Sequence, residues 1–253
     1  MSRYSVKNQL LQLFSPTHFP CMACKSEFPL DRNYLCSKCA QGLARIKAPC
    51  PSCGRENNNK LCDDCARGRS FTVAISAYRY NRSAKGIVLA LKYRNDKRAT
   101  DFMANAIAEI CDITHKYDVI VGVPSRLQSY VKRGYNQSDE ISAELSSIID
   151  IPVLSALKVR GKIKTQHFLT KEQRAQNYAD GLYCTCDVTG LRILLVDDVI
   201  TTCSTAEACS RVLLDAGADS VHVAAFASVS FKQASLPEKP PSVLDILTQI
   251  GRL

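Results

Sequence analysis

The segment ILLVDDVITTCST, residues 193–205, carries the side chains best suited to chemistry. Asp197 and Asp198 follow an apolar run that predicts a buried strand. Paired carboxylates suit sugar hydroxyls, or a Mg²⁺ ion held together with them. Four hydroxyl residues come next, before a predicted helix whose N-terminus attracts phosphate through free backbone N–H groups. These residues are Thr201, Thr202, Ser204 and Thr205. The segment is therefore predicted to bind a ribose and its 5′-phosphate; the alternative is an ordinary helix cap, which needs only one hydroxyl.

Cysteine pairs are the second feature with chemical potential. The chain has thirteen cysteines, and eight of them form four CxxC pairs near the N-terminus. The pairs are Cys21/Cys24, Cys36/Cys39, Cys50/Cys53 and Cys62/Cys65. Two such turns supply the four sulfurs of a tetrahedral zinc site, so we predict two structural Zn²⁺ ions without an open coordination position. Sequential pairing gives two ribbons, and interleaved pairing is an alternative; metal-free cysteines or an iron–sulfur cluster fit the spacing less well.

Composition places these features in a water-soluble protein. With 253 residues and 46% hydrophobic content, the chain can form one sizeable core and a small module. It contains no apolar run of about 18 residues and no secretory signal pattern, so we expect a cytoplasmic protein without membrane insertion. Thiolate ligands also fit a reducing compartment better than a disulfide framework does.

Strand and helix patterns alternate from Phe71 onward. This alternation predicts an α/β fold with a doubly wound, mostly parallel sheet, whose ligand binds at the carboxyl ends of the strands. The predicted organisation has four parts. They are an N-terminal amphipathic segment (1–20), a double zinc ribbon (21–70), the α/β domain (71–235) and a C-terminal tail helix (236–253).

The stretch LLVDDVITTCST resembles the phosphoribosyl pyrophosphate (PRPP) signature of type I phosphoribosyltransferases. The resemblance implies that Asp197 and Asp198 bind ribose hydroxyls and that residues 201–205, including Cys203, hold the 5′-phosphate. It also implies Mg²⁺ and PRPP as ligands.

Three further stretches, with the cysteine pairs, resemble the ComF family of competence proteins over nearly the whole chain. They read YNRSAKGIVLALKYRNDKRA, VPSRLQSYVKRGYNQSDEISAELS and KTQHFLTKEQRAQN. This resemblance implies zinc ribbons joined to a phosphoribosyltransferase-like domain that handles single-stranded DNA during natural transformation. A helicase-like motor or other competence proteins are the implied partners.

Two positions depart from the family pattern. Cys203 stands where the phosphate loop usually has glycine. If the φ angle of Cys203 is positive, its Cβ should cost about 1 kcal/mol relative to glycine. Gly122 stands where the family more often has proline, before the loop expected to hold the pyrophosphate. In that region Ser125, Arg126 and Arg133 are the predicted pyrophosphate ligands.

Residues 78–98 contain seven basic residues and three interleaved tyrosines. Cations beside stacking rings are typical of single-stranded nucleic-acid binding, although a solvated basic helix face is the ordinary alternative. Three functions therefore remain open. They are a ComF-like factor that binds PRPP and single-stranded DNA, an active phosphoribosyltransferase that releases pyrophosphate, and a structural adaptor with an empty pocket.

Overall fold

The computed structural model describes residues 20–26, 34–111, 117–125, 134–160 and 181–231. The predicted N-terminal segment, apart from Pro20, and the predicted tail helix lie outside these residues. The described strands are β1 (Val73–Arg79), β2 (Val119–Gly122), β3 (Leu157–Val159), β4 (Leu182–Cys184), β5 (Arg192–Ile200) and β6 (Ser220–Ser228). The described helices are α1 (Ser37–Gly42), α2 (Asp63–Ala66), α3 (Arg82–Arg94), α4 (Lys97–Ala108), α5 (Gln137–Ile149) and α6 (Ser204–Asp215).

A parallel sheet in the order β1–β6–β5–β2 forms the centre of the fold. Consecutive residues of β5 point to opposite faces of this sheet. Leu194 and Val196 belong to the core on the side of α3, α4 and α5, while Ile193 and Leu195 belong to the core on the side of α6. Burial on both faces explains the nearly continuous apolar sequence of the strand. The predicted doubly wound parallel sheet is confirmed.

Capping residues set the ends of α3, the helix that reaches the candidate site. The Asn81 side chain accepts hydrogen bonds from the backbone N–H groups of Ser83 and Ala84, and Asn95 ends the helix in the left-handed conformation. A short antiparallel hairpin of β3 and β4 lies apart from the main sheet and was not predicted. Among the described helices, none is long and apolar enough to span a bilayer.

The cysteine-rich module, the described part of residues 21–70, packs directly on the α/β domain. Ala74 N–H donates to Ser52 O at 2.7 Å, and Arg79 N–H donates to Ala44 O at 2.8 Å, so the module covers the outer edge of β1. On the helical side, Gly86 lets the module approach closely, because a Cβ there would lie 2.5 Å from the Ala23 carbonyl oxygen. The module and the sheet therefore share hydrophobic cores.

Candidate functional site

The two predicted acids lie at the carboxyl end of β5, beside the end of β2. Asp198 is buried, and its Oδ2 lies 2.5 Å from Lys92 Nζ on α3. Asp197 Oδ1 accepts hydrogen bonds from Asp198 N–H at 2.8 Å and from Ser138 Oγ at 3.4 Å. Three elements thus fix the orientation of the carboxylate pair.

A polar cleft of about 210 Å³ opens in front of the carboxylates. It lies where parallel strands end, which is the usual place for a ligand in this class of fold. Its walls come from the segment after β2, the start of α5, the end of β5 and the start of α6. The lining residues are Lys92, Val123, Pro124, Ser125, Asn136, Gln137, Ser138, Asp197, Asp198, Val199 and Thr205.

Charge in the cleft is balanced within a small volume. Burial and the adjacent Asp198 charge raise the pKa of Asp197 to about 7, although Lys92 opposes this shift. Burial alone would lower the pKa of Lys92, but Asp198 raises it above its ordinary value. The carboxylate pair therefore retains a proton near neutral pH more readily than separate aspartates do, and a ligand that brings hydroxyl groups or a divalent cation suits it.

The predicted phosphate loop leads into α6 at Ser204, with Cys203 as the preceding cap residue. Thr202 Oγ1 and Ser204 Oγ lie 2.9 Å apart, and Thr205 lines the cleft. Cys203 has a φ of 65°, the left-handed conformation that favours glycine. Its side chain is buried in the same hydrophobic core as Cys53, so packing against the cysteine-rich module accompanies the strained backbone.

The predicted pyrophosphate residues are only partly described. Ser125 lines the cleft, and its Oγ lies 2.5 Å from Asn136 Oδ1. Asn136 Nδ2 in turn donates to Val123 O at 3.0 Å, which fixes the segment after β2 against the start of α5. Arg126 and Arg133 lie outside the described residues.

Gly122 allows this close packing. A Cβ at position 122 would lie 2.4 Å from Asp139 Oδ1 and 3.1 Å from the Asp139 backbone nitrogen. The absence of a side chain therefore brings the first turn of α5 against the end of β2. Because Ser138 and Gln137 lie in that turn, Gly122 helps to place two residues of the cleft.

Two cleft residues were not predicted as ligands from the sequence. Lys92 was assigned to a basic surface, although Ala84, Val88 and Lys92 follow one another at helical spacing and lie on the same face of α3. Gln137 is 4% exposed, and its Nε2 has no hydrogen-bond partner among the described residues. Gln137 lines the cleft, so its amide group is a candidate contact for a ligand carbonyl or phosphate oxygen.

The eight paired cysteines form two groups in sequential order, Cys21/Cys24/Cys36/Cys39 and Cys50/Cys53/Cys62/Cys65, hereafter the first and second cysteine clusters. Within each group all four sulfur atoms lie within 4.8 Å of one another. The distances of 3.8 Å between Cys24 and Cys36 and 3.7 Å between Cys53 and Cys62 match the roughly 3.8 Å separation of sulfurs around a tetrahedral zinc at 2.3 Å. Both groups therefore fit a structural Zn²⁺ ion, as predicted.

Sequence relatives cover most of the chain. Competence protein F from Haemophilus influenzae is 28% identical over 81% of this chain and 95% of its own length. The DNA utilization protein YhgH from Escherichia coli K12 is 27% identical over 80% of this chain and 94% of its own length. Competence protein ComFC from Bacillus subtilis is 25% identical over 78% of this chain and 89% of its own length. The resemblance to ComF competence proteins is confirmed.

Solved structures with weaker similarity include glutamine PRPP amidotransferase from B. subtilis in complex with ADP and GMP. It is 20% identical, with a TM-score of 0.38, over 60% of this ComF-like chain and 33% of that longer protein. A purine phosphoribosyltransferase from Pyrococcus horikoshii is 22% identical, with a TM-score of 0.34, over 51% of this chain and 72% of that one. No protein-family model matches the chain.

The predicted basic and aromatic surface of the ComF-like chain is largely engaged in internal contacts. Ion pairs join Arg79 to Glu56, Lys92 to Asp198, Lys97 to Glu140 and Arg98 to Asp96. In addition, Arg94 donates to the Met22 carbonyl, and Tyr78 is buried. Arg82 and Lys85, at the start of α3, are exposed and have no ion-pair partner among the described residues.

Proposed function

We propose that this protein binds PRPP, or a closely related sugar phosphate, in the cleft at the end of β5. The observation that carries the proposal is the convergence of Asp197, Asp198 and Lys92 with the start of α6. Carboxylates accept hydrogen bonds from ribose hydroxyls, while a helix N-terminus favours a phosphate group. The two features adjoin each other in sequence and in space, as one ribose 5-phosphate requires.

The same residues suit the rest of such a ligand. Asp197 and Asp198 offer oxygen ligands to the Mg²⁺ that accompanies a pyrophosphate group. Ser125 and Gln137 line the cleft from the side of β2 and α5, and Gln137 Nε2 has no hydrogen-bond partner among the described residues. In this proposal they contact the pyrophosphate, together with Arg126 and Arg133.

Calorimetric titration of the zinc-loaded protein with Mg–PRPP tests the proposal. We expect micromolar binding that Asp198→Asn weakens by at least about tenfold, because a buried charge-assisted contact contributes about 1.5–3 kcal/mol. Asp215→Asn, an exposed acid at the far end of α6, is the matched control and should bind like the wild type. Equal affinity of both variants, or no binding by the wild type, would contradict a PRPP site.

At the level of the cell, we propose a role in DNA uptake or DNA use, supported by relatives named competence proteins and DNA utilization proteins. Binding of single-stranded DNA and contact with a helicase-like partner belong to this proposal. A cytoplasmic location is also part of it.

A second candidate is phosphoribosyl transfer to a nucleobase-like acceptor, favoured by the unpartnered Gln137 amide beside the cleft. In this candidate Gln137 Nε2 orients a carbonyl oxygen of the acceptor instead of contacting the pyrophosphate, while the carboxylates stabilise positive charge at the anomeric carbon. Pyrophosphate release across a panel of bases distinguishes the two candidates. Release that depends on one base identifies an enzyme, whereas PRPP binding without release identifies a ligand sensor.

A further inference from the structure

A single buried arginine joins the second cysteine cluster to the phosphate loop. Arg55 is fully buried, and its Nε donates to Cys53 Sγ at 3.3 Å. Its terminal nitrogens donate to Cys62 Sγ at 3.4 Å, to Asp64 Oδ2 at 2.9 Å and to the carbonyl oxygen of Thr201 at 3.3 Å. The guanidinium group thus contacts two metal-ligand sulfurs and the first residue of the loop at once.

Two further contacts join the same regions. Cys203 packs in the same buried core as Cys53, and Ser70 donates to the Glu207 carboxylate from its backbone N–H and its hydroxyl. Glu207 lies in the first turn of α6. Both ends of the loop are therefore attached to the cysteine-rich module.

Charge explains why an arginine can occupy this position. Burying a cation without partners is costly, whereas four thiolates around one Zn²⁺ carry a net charge of −2 that offsets it. Asp64 supplies a further negative charge. Metal binding and the position of Arg55 therefore depend on each other, because removal of the metal leaves protonated or scattered thiols as poorer acceptors.

We propose that Arg55 is a positioning residue that couples metal binding at the second cysteine cluster to the conformation and ligand affinity of loop 201–205. The module then has a role beyond stability, because zinc occupancy sets the shape of the phosphate loop. The predicted effect of Arg55 on the conformation of the loop is independent of the proposed function. The predicted effect on ligand affinity rests on PRPP binding.

Hydrogen exchange of the peptide 199–207 tests the effect of Arg55 on the conformation of the loop. Arg55→Lys keeps the charge but cannot reproduce the forked set of hydrogen bonds, so we expect at least about tenfold faster exchange. Arg67→Lys is the matched control, because Arg67 also pairs with Asp64, at 2.8 Å, but lies on the surface. Emptying the second cluster of the wild-type protein with a chelator should reproduce the effect of Arg55→Lys without any substitution. Unchanged exchange after chelation, or equal exchange in both lysine variants, would overturn the coupling.

The predicted effect on ligand affinity can be tested from the metal side, because linkage is reciprocal. If bound zinc raises the affinity for PRPP, bound PRPP must raise the affinity for zinc by the same factor. Mg–PRPP should lower the zinc dissociation constant of the second cluster, measured by chelator competition, by about fivefold or more and leave that of the first cluster unchanged. Cys24→Ser, expected to weaken only the first cluster, assigns the two dissociation constants. If Mg–PRPP binds in the calorimeter yet changes neither dissociation constant, the coupling is wrong. If the wild type does not bind Mg–PRPP, the proposed function fails, and the hydrogen-exchange comparison decides on Arg55.

Discussion

Lys92 shows at the residue scale how the cleft tolerates two adjacent carboxylates. Asp197 and Asp198 repel each other, and both lose hydration at the end of β5. The Lys92 ammonium group offsets this cost through its contact with Asp198. Its aliphatic stem reaches the site along the packed face of α3, so the helix supplies both the charge and its position.

Lys92→Ala should therefore destabilise the protein by about 1–3 kcal/mol, since it leaves a buried carboxylate without its cation. Urea denaturation measures this change. Lys85→Ala, at an exposed position two turns earlier in the same helix, should change stability by less than about 0.5 kcal/mol. Similar losses in the two variants would mean that helix propensity, and not the ion pair, determines the effect.

The raised pKa of Asp197 leads to a prediction about pH. The unfolded aspartate has a pKa of about 3.9, so between about pH 4 and 7 the native state binds more protons than the unfolded state does. Stability from this group consequently falls as the pH rises through that window. Asp197→Asn lacks this titration, so its stability relative to the wild type should rise by about 1–2 kcal/mol from pH 5 to pH 8, after allowance for solvent screening. Parallel pH profiles of the free energy of unfolding would contradict the assignment.

Site residues that are close together in the sequence could be predicted, whereas those from distant segments could not. The acids and hydroxyls of residues 197–205 share one strand end and one helix start, so local patterns are enough to propose them. Arg55 and Lys92 reach the same region from distant parts of the chain, and their roles depend on tertiary packing. The effect of Cys203 also needed the structure, because only the backbone shows that its φ is positive.

Close approach of α5 to β2 is the element-scale feature on which the cleft depends. Gly122→Ala places a Cβ against the Asp139 side chain and the backbone of the first helical turn, which should cost about 1–3 kcal/mol. Asp139→Ala in the same chain should recover only part of this loss, because the backbone contact at 3.1 Å remains. A double-mutant cycle by urea denaturation measures the two contributions. Full recovery, or no loss in the single variant, would show that α5 can shift away freely.

Long elements with clear periodicity were predictable, whereas very short ones were not. The stretch QSDEISAELSSII predicts a helix and coincides with α5, Gln137–Ile149. By contrast, β3 and β4 have three residues each, too few to show the alternation of a strand, and they pair across residues 161–180. The pairing partner, and not the local sequence, determines such strands.

At the scale of the whole molecule, the cysteine-rich module is continuous with the α/β domain. The first cluster packs with residues of α3, and the second cluster packs against β1 and the start of α6. Sequence composition predicted two metal sites, but not that one of them would adjoin loop 201–205. This arrangement places a candidate structural zinc site and a candidate ligand cleft in one connected set of contacts.

If the protein binds single-stranded DNA as proposed, its internal ion pairs limit where the strand can lie. Because most cations of residues 79–98 have acidic partners, the exposed start of α3 is the part of this surface best able to contact phosphates. Neutralising Arg82 and Lys85 together should lower the slope of log affinity against log salt by about 1.4, at about 0.7 for each phosphate contact of a single strand. Fluorescence anisotropy with labelled oligonucleotides at several salt concentrations measures the slope.

Lys97→Ala is the matched control, because Lys97 is also exposed to solvent but pairs with Glu140 on α5. If its salt slope stays at the wild-type value while that of the double variant falls, the start of α3 carries the contact. An equal decrease in both would mean that the ion pairs open when DNA binds, and the interface would then extend along α3 toward the cleft. An unchanged slope in the double variant would exclude this helix from the DNA interface and direct attention to the cysteine-rich module, whose outer surface carries Lys38, Lys47 and Lys60.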